Sequence, residues 1–169
     1  MRIVSRPLYR ARQMGWALRP KVTEDERAEA RELLDERLFG LFDGMDGADQ
    51  RHCIDVYRAA RKAGCEDRDV LTAALIHDCG KAPSPEDGRI RVWHRVIYVA
   101  LHATAPSLLR RFARRPGGLR LLDRHAERGL EIAEAQGATP EVLDLMRRME
   151  DGADGDERVR LLRAADDAA

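Results

Sequence analysis

No run of roughly 18 apolar residues occurs in the chain, so no segment is expected to span a bilayer. The first twenty residues also lack the apolar stretch of a secretory signal, and with Pro7, Trp16 and Pro20 they show no period. Residues 1–22 are therefore expected to form an irregular arm ahead of a single domain over residues 23–169. Lysine is scarce: Lys21, Lys62 and Lys81 stand alone among arginines, so Lys81 is less readily dismissed as filler than it would be in a lysine-rich chain. Net charge is missing too. The 30 basic and 30 acidic residues give +0, which excludes a global field that gathers nucleic acid or anionic lipid, so any anion must be held locally. Cys53, Cys65 and Cys79 are odd in number and lack Cys-x-x-Cys spacing, which argues against a disulfide framework or a zinc knuckle and for a reducing cytoplasm. Strand-type alternation and fixed-period repeats are likewise lacking. The expected class is all-α, a bundle of about seven helices.

What is there begins with a capping box, Thr23 with Glu26, opening one helix over residues 23–44 with Leu33, Leu34, Leu38 and Leu41 on its stripe. After the turn Asp46-Gly47-Ala48-Asp49, a second helix over residues 50–62 turns Cys53, Val56, Tyr57 and Ala60 inward, with His52 on the edge of that stripe. Residues 82–88 read as a loop. The run Arg91-Val92-Trp93-His94-Arg95-Val96-Ile97-Tyr98-Val99-Ala100-Leu101-His102 is apolar on most sides and short, hence a buried helix. Pro106 opens the next helix and Pro116-Gly117-Gly118 closes it. That break interrupts the amphipathic run over residues 108–122, so a membrane-surface helix is disfavoured, and Arg110, Arg111, Arg114, Arg115 and Arg120 read as a solvated face. A later helix turns His125 and Gly129 inward. Thr139 and Pro140 start another, residues 150–155 form a loop, and Asp156 caps the last.

The chemistry gathers at one stretch. Val70, Leu71, Ala74 and Leu75 fall at helical spacing, and Ala73 and Ile76 cover much of the rest. That helix should run through the middle of the domain and end in His77-Asp78. A carboxylate carried there is costly unless paired or bound to a metal, and the adjacent imidazole suggests metal. Asp166, four residues beyond Leu162, extends the apolar line of the last helix to another carboxylate. His52, His77, Asp78 and Asp166 thus supply two imidazoles and two carboxylates, a set suited to a divalent Mn, Fe, Co, Ni or Zn ion.

His77-Asp78-Cys79-Gly80-Lys81 resembles the His-Asp-x-Gly-Lys signature of the HD superfamily of metal-dependent phosphohydrolases. The resemblance spans about residues 50–167 and implies His52 as first ligand, His77 and Asp78 as the paired ligands and Asp166 as the last. It implies hydrolysis of a phosphate ester of a small phosphorylated compound, most plausibly a nucleotide, by metal-activated water. Asp78 would hold the ion and accept a proton, and Lys81 would pair with a phosphate oxygen or orient a metal-bound group. Arg91, Arg95 and Arg124 are candidates for a second phosphate or the rest of the ligand, with His94 between two of them. In the HD-GYP relatives a second metal takes further histidines. His125 with Gly129 matches one of these, but the His-His pair is replaced by Met149 and Glu150, and Gly-Tyr-Pro is missing. Glu150 can offer an oxygen; Met149 offers nothing to a hard ion. The alternative function is therefore a degenerate HD domain that binds metal or ligand as a regulatory module. No nucleic-acid polymer or membrane partner is expected, and a homodimer is left open.

Overall fold

The computed structural model describes residues 21–151 and 155–169, so the expected arm over residues 1–22 lies, except for its last two residues, outside the described residues. Among the described residues the chain is all-α, with nine α-helices and no strand beyond an isolated bridge between Ser84 and Gly88. Two more helices appear than the sequence suggests, and one reason is visible at Leu34. The expected single helix over residues 23–44 is broken into α1 (Glu24–Leu33) and α2 (Glu36–Asp43). Leu34 turns extended (φ −85°, ψ 143°) and drops into the core, while the Asp35 carboxylate accepts from Leu38 N–H and starts the next helix. Asp35 is a better cap than a mid-helix residue, and the buried Leu34 compensates the break.

The turn expected at residues 46–49 is instead the first turn of α3 (Gly47–Lys62), with Gln50 N–H bonded to Asp46 C=O. Asp67 caps α4 (Arg68–Ile76), whose residues from Val70 to Ile76 are all buried. It is the central helix, packed on α1, α2 and α3 and on two late helices, α8 (Pro140–Asp151) and α9 (Glu157–Ala168). The expected loop at Glu150 and Asp151 is the last turn of α8. Beyond α4 a single 3-10 turn, Cys79–Lys81, is pressed against α7 (Gly118–Ala135).

One expectation fails outright. The apolar helix α5 (Val92–Thr104) has no buried residue, and Val92, Trp93, Val96 and Ile97 are 38–60 % exposed. It packs by one face, through half-buried residues such as Tyr98, onto α7 and α6 (Pro106–Ala113), and no second layer among the described residues covers the other face.

A buried ion cluster ties α1 to α3. Arg51 Nη1 donates to both Glu26 oxygens at 2.7 and 2.6 Å, and Arg58 adds a contact at 2.5 Å. Burial alone would push the Glu26 carboxyl up, but Arg51, the Thr23 N–H and Arg58 outweigh it and hold it below its usual 4.5. A lowered native value contributes stability that is present above the unfolded value and is lost as pH falls through the folded one. Glu26→Gln is therefore expected to lose about 3 kcal/mol at neutral pH, the low end for a broken buried pair because Arg51 keeps Asp55. The difference from the parent should shrink below about pH 4.5, as followed by urea denaturation across pH.

Candidate metal centre

Three helices converge on one point. His52 comes from the first half of α3, His77 and Asp78 from the turn that ends α4, and Asp166 from the last turn of α9, which packs on both. His52 Nε2 lies 2.9 Å from Asp166 Oδ1 and 4.0 Å from Asp78 Oδ2. His77 Nε2 lies 3.8 Å from both Asp78 Oδ1 and Asp166 Oδ1. An ion held at about 2.0–2.2 Å by nitrogen and oxygen requires donor atoms roughly 3–4 Å apart. His52, His77 and Asp166 each offer one atom within 4.8 Å of the other two, and Asp78 borders this trio with Oδ2 toward His52 and Oδ1 toward His77, so a small turn of its carboxylate would bring it onto the same cation.

The protonation states fit as well. His77 Nδ1 sits 3.0 Å from the Ala74 carbonyl, which fixes its proton there and leaves the Nε2 lone pair facing the carboxylates. Burial lowers the His77 pKa against the pull of Asp78, keeping the imidazole neutral. Asp78 is 2 % exposed, and burial pushes its carboxyl up; Lys81, then His77 and His52, outweigh this and hold it well below the usual range. Asp166, with a side chain 35 % exposed, is likewise held down by His52 and His77 against burial. It is the open side of the cluster.

Lys81 Nζ donates to Asp78 Oδ2 at 2.6 Å. Burial would lower its pKa, but Asp78 and Asp49 raise it, so the ammonium persists. Cys53 Sγ approaches His77 from the Nδ1 side at 3.9 Å, and burial pushes its thiol far up, so it backs the imidazole as a neutral packing group. Cys79, pushed up to about 12 mainly by burial, packs with its Sγ 3.6 Å from the Gly129 carbonyl.

The remaining candidates separate into two groups. His125 on α7 bonds through Nδ1 to Leu122 C=O at 2.8 Å and turns Nε2 toward Glu150 Oε1, 3.7 Å away. The two stand near enough to Asp78 for their charges to be felt there. A cleft of about 260 Å³ runs past Glu150, lined also by His77, Ala126, Leu130 and Met146. Arg95 reaches Asp49, and its charge acts on Lys81. By contrast, Arg124 pairs with Glu127 on the exposed side of α7, and Arg91 is exposed at the start of α5. His94 accepts from Arg91 N–H and packs on Gly118 and Trp93 rather than on the ligand cluster.

Two residues that sequence reasoning missed belong to this neighbourhood. Asp49 is 1 % exposed, with both oxygens 2.7 Å from Arg95 Nη2. It stands three residues before His52, so it shares that helix face once residues 47–49 are recognised as helical. Arg128 donates to the carbonyls of Gly80 and Ala82 at 2.6 and 2.8 Å, clamping the turn that carries Lys81. Its position three residues after His125 was the available signal.

Among the described residues no helix is long and apolar enough to cross a membrane. Comparison with curated proteins and with solved structures gave no match. The family model described as "HD domain" does match, over residues 50–169, an interval that contains all four converging side chains. With that match covering most of its length, the chain belongs to the HD domain family, whose members are generally metal-dependent hydrolases.

Proposed function

We propose that the protein is a metal-dependent phosphohydrolase acting on a phosphate ester of a small compound, most plausibly a nucleotide. The observation that carries this reading is the convergence of His52, His77, Asp78 and Asp166 from three helices at ligand separations of 2.9–4.0 Å. These four residues would hold a divalent ion of the Mn, Fe, Co, Ni or Zn type. Such an ion supplies Lewis acidity at a phosphoryl oxygen and acidifies water.

The chain's own groups do the rest. Lys81 engages Asp78 at Oδ2 and keeps that carboxylate ionised, as an anionic ligand that would hold the ion and its water in place. The Lys81 ammonium also presents a positive charge to a phosphoryl oxygen, where charge accumulates as the ester bond breaks. The cleft beside His77 is at the small end for ligand sites and suits a compact phosphorylated compound. Glu150 lines it, with His125 behind at 3.7 Å from Oε1, and would orient the leaving group.

Hydrolysis of a panel of nucleotides and phosphomonoesters with added Mn²⁺, Co²⁺ or Ni²⁺ tests this reading. Lys81→Met should lower kcat by roughly a hundredfold to a thousandfold, the usual loss for one preorganised donor, while metal content is retained. An inert protein that still binds metal would instead mark a regulatory module.

A further inference from the structure

We infer that the face formed by α5 and α6 docks the protein on an anionic lipid surface. The sequence disfavours a membrane-surface helix because Pro116-Gly117-Gly118 ends the amphipathic run, but the structure builds the face from the two helices before that break. Both helices pack on α7 and on each other, so the sides they leave open point away from α7. Those sides are apolar. α5 exposes Val92, Trp93, Val96 and Ile97, and α6 exposes Leu108 and Phe112. Single exposed apolar residues are ordinary; six large ones on two adjoining helices are not.

The charge around this face names its occupant. Between Asp87 and Asp123 the chain carries eight arginines and no acidic residue, although the whole chain is neutral. Three of these arginines are tied to carboxylates elsewhere: Arg89 to Asp46, Arg95 to Asp49, and Arg120 to Glu86 and Asp87. Arg110, Arg111, Arg114 and Arg115 are exposed, and among the described residues none has an ion-pair partner. An apolar face with a tryptophan, bordered by unpaired arginines, is the composition that settles into the headgroup region of an anionic bilayer.

Other coverings are disfavoured by sign. A second copy related by a two-fold axis would bring four unpaired arginines per chain to an interface to which residues 88–122 contribute no carboxylate. Residues 1–20 carry five arginines and no acidic residue, so their charge repels rather than complements this edge.

Flotation of the full chain with phosphatidylcholine vesicles, with and without phosphatidylglycerol, tests the proposal. The expected result is binding to the phosphatidylglycerol vesicles alone, weakened by salt, with roughly fivefold weaker partitioning for each of Arg110→Gln and Arg111→Gln. Val96→Glu/Phe112→Glu should abolish binding while its circular dichroism and metal content match the parent, since both sites are solvent-exposed. Absence of binding to anionic vesicles would overturn the proposal. Binding that survives the apolar substitutions would reduce the face to a charged patch. A dimer in solution that those substitutions dissolve would assign it to a second copy.

Discussion

His77→Ala is expected to lower phosphate-ester hydrolysis by about three orders of magnitude or more, corresponding to the several kcal/mol that an ion at a developing charge supplies. The argument begins with the position. His77 is buried at the end of a helix whose residues from Val70 to Ile76 are all buried, its Nδ1 proton is fixed on Ala74 C=O, and its Nε2 faces two carboxylates. Truncation removes one imidazole ligand and leaves Asp78 and Asp166 closer to bare like charges, which disfavours the ordered cluster itself. Loss should therefore appear as lost metal affinity and lost kcat together, with the helical fold retained because the cavity lies at the edge of the core beside the cleft. Steady-state kinetics with metal in excess separates the two contributions. Full recovery at high metal would mean that His77 serves affinity alone; unchanged activity at ordinary metal would remove it from the site.

Gly80→Ala is expected to be the most damaging change that touches no polar side chain. A Cβ at Gly80 would lie 1.8 Å from the His125 carbonyl oxygen and 2.7 Å from Gly129 N, both backbone atoms of α7. Neither can swing aside as a side-chain tip can, so the 3-10 turn and α7 must separate. The separation would pull Lys81 from Asp78 and strain the Arg128 clamp on the Gly80 and Ala82 carbonyls. A stability loss of about 3 kcal/mol or more is expected from overpacking at this point, read by thermal or urea unfolding, with activity lost in what remains folded. Gly129→Ala is the matched control. A Cβ there meets its nearest neighbour, Gly80 N, at 3.5 Å, an ordinary contact, and it sits inside a helix where alanine is favoured by up to about 1 kcal/mol over glycine. The two substitutions face each other across one seam and should move stability in opposite directions.

The parts of this site that were legible in the sequence are those in which local pattern and burial agree. The helix before His77 has apolar residues on every side and an Asp67 cap, which leaves little freedom in where it lies, and the adjacent His-Asp pair inherits that placement. Asp166 was legible because Val159 and Leu162 set the inward line of a short helix and the carboxylate falls on it. What escaped depends on contacts between segments distant in sequence. Apolar content on all sides made α5 read as buried, yet burial requires a neighbouring element, and only one side of it has one. The break at Leu34 follows from a cap and a core position competing with helix continuity, which periodicity alone does not rank. The need for glycine at position 80 comes from α7, whose Gly129 lies 49 residues further on. A conformational reason at Gly80 itself is lacking, since its φ is not positive.

The account stands on the four side chains gripping one cation, and metal stoichiometry tests that without reference to any substrate. Protein dialysed against Mn²⁺, Co²⁺, Ni²⁺ or Zn²⁺ and then analysed by elemental mass spectrometry should hold a bound ion that His52→Ala, His77→Ala, Asp78→Ala and Asp166→Ala each release. If the protein takes up none of these ions, or if all four variants retain what the parent binds, the metal centre does not exist as described.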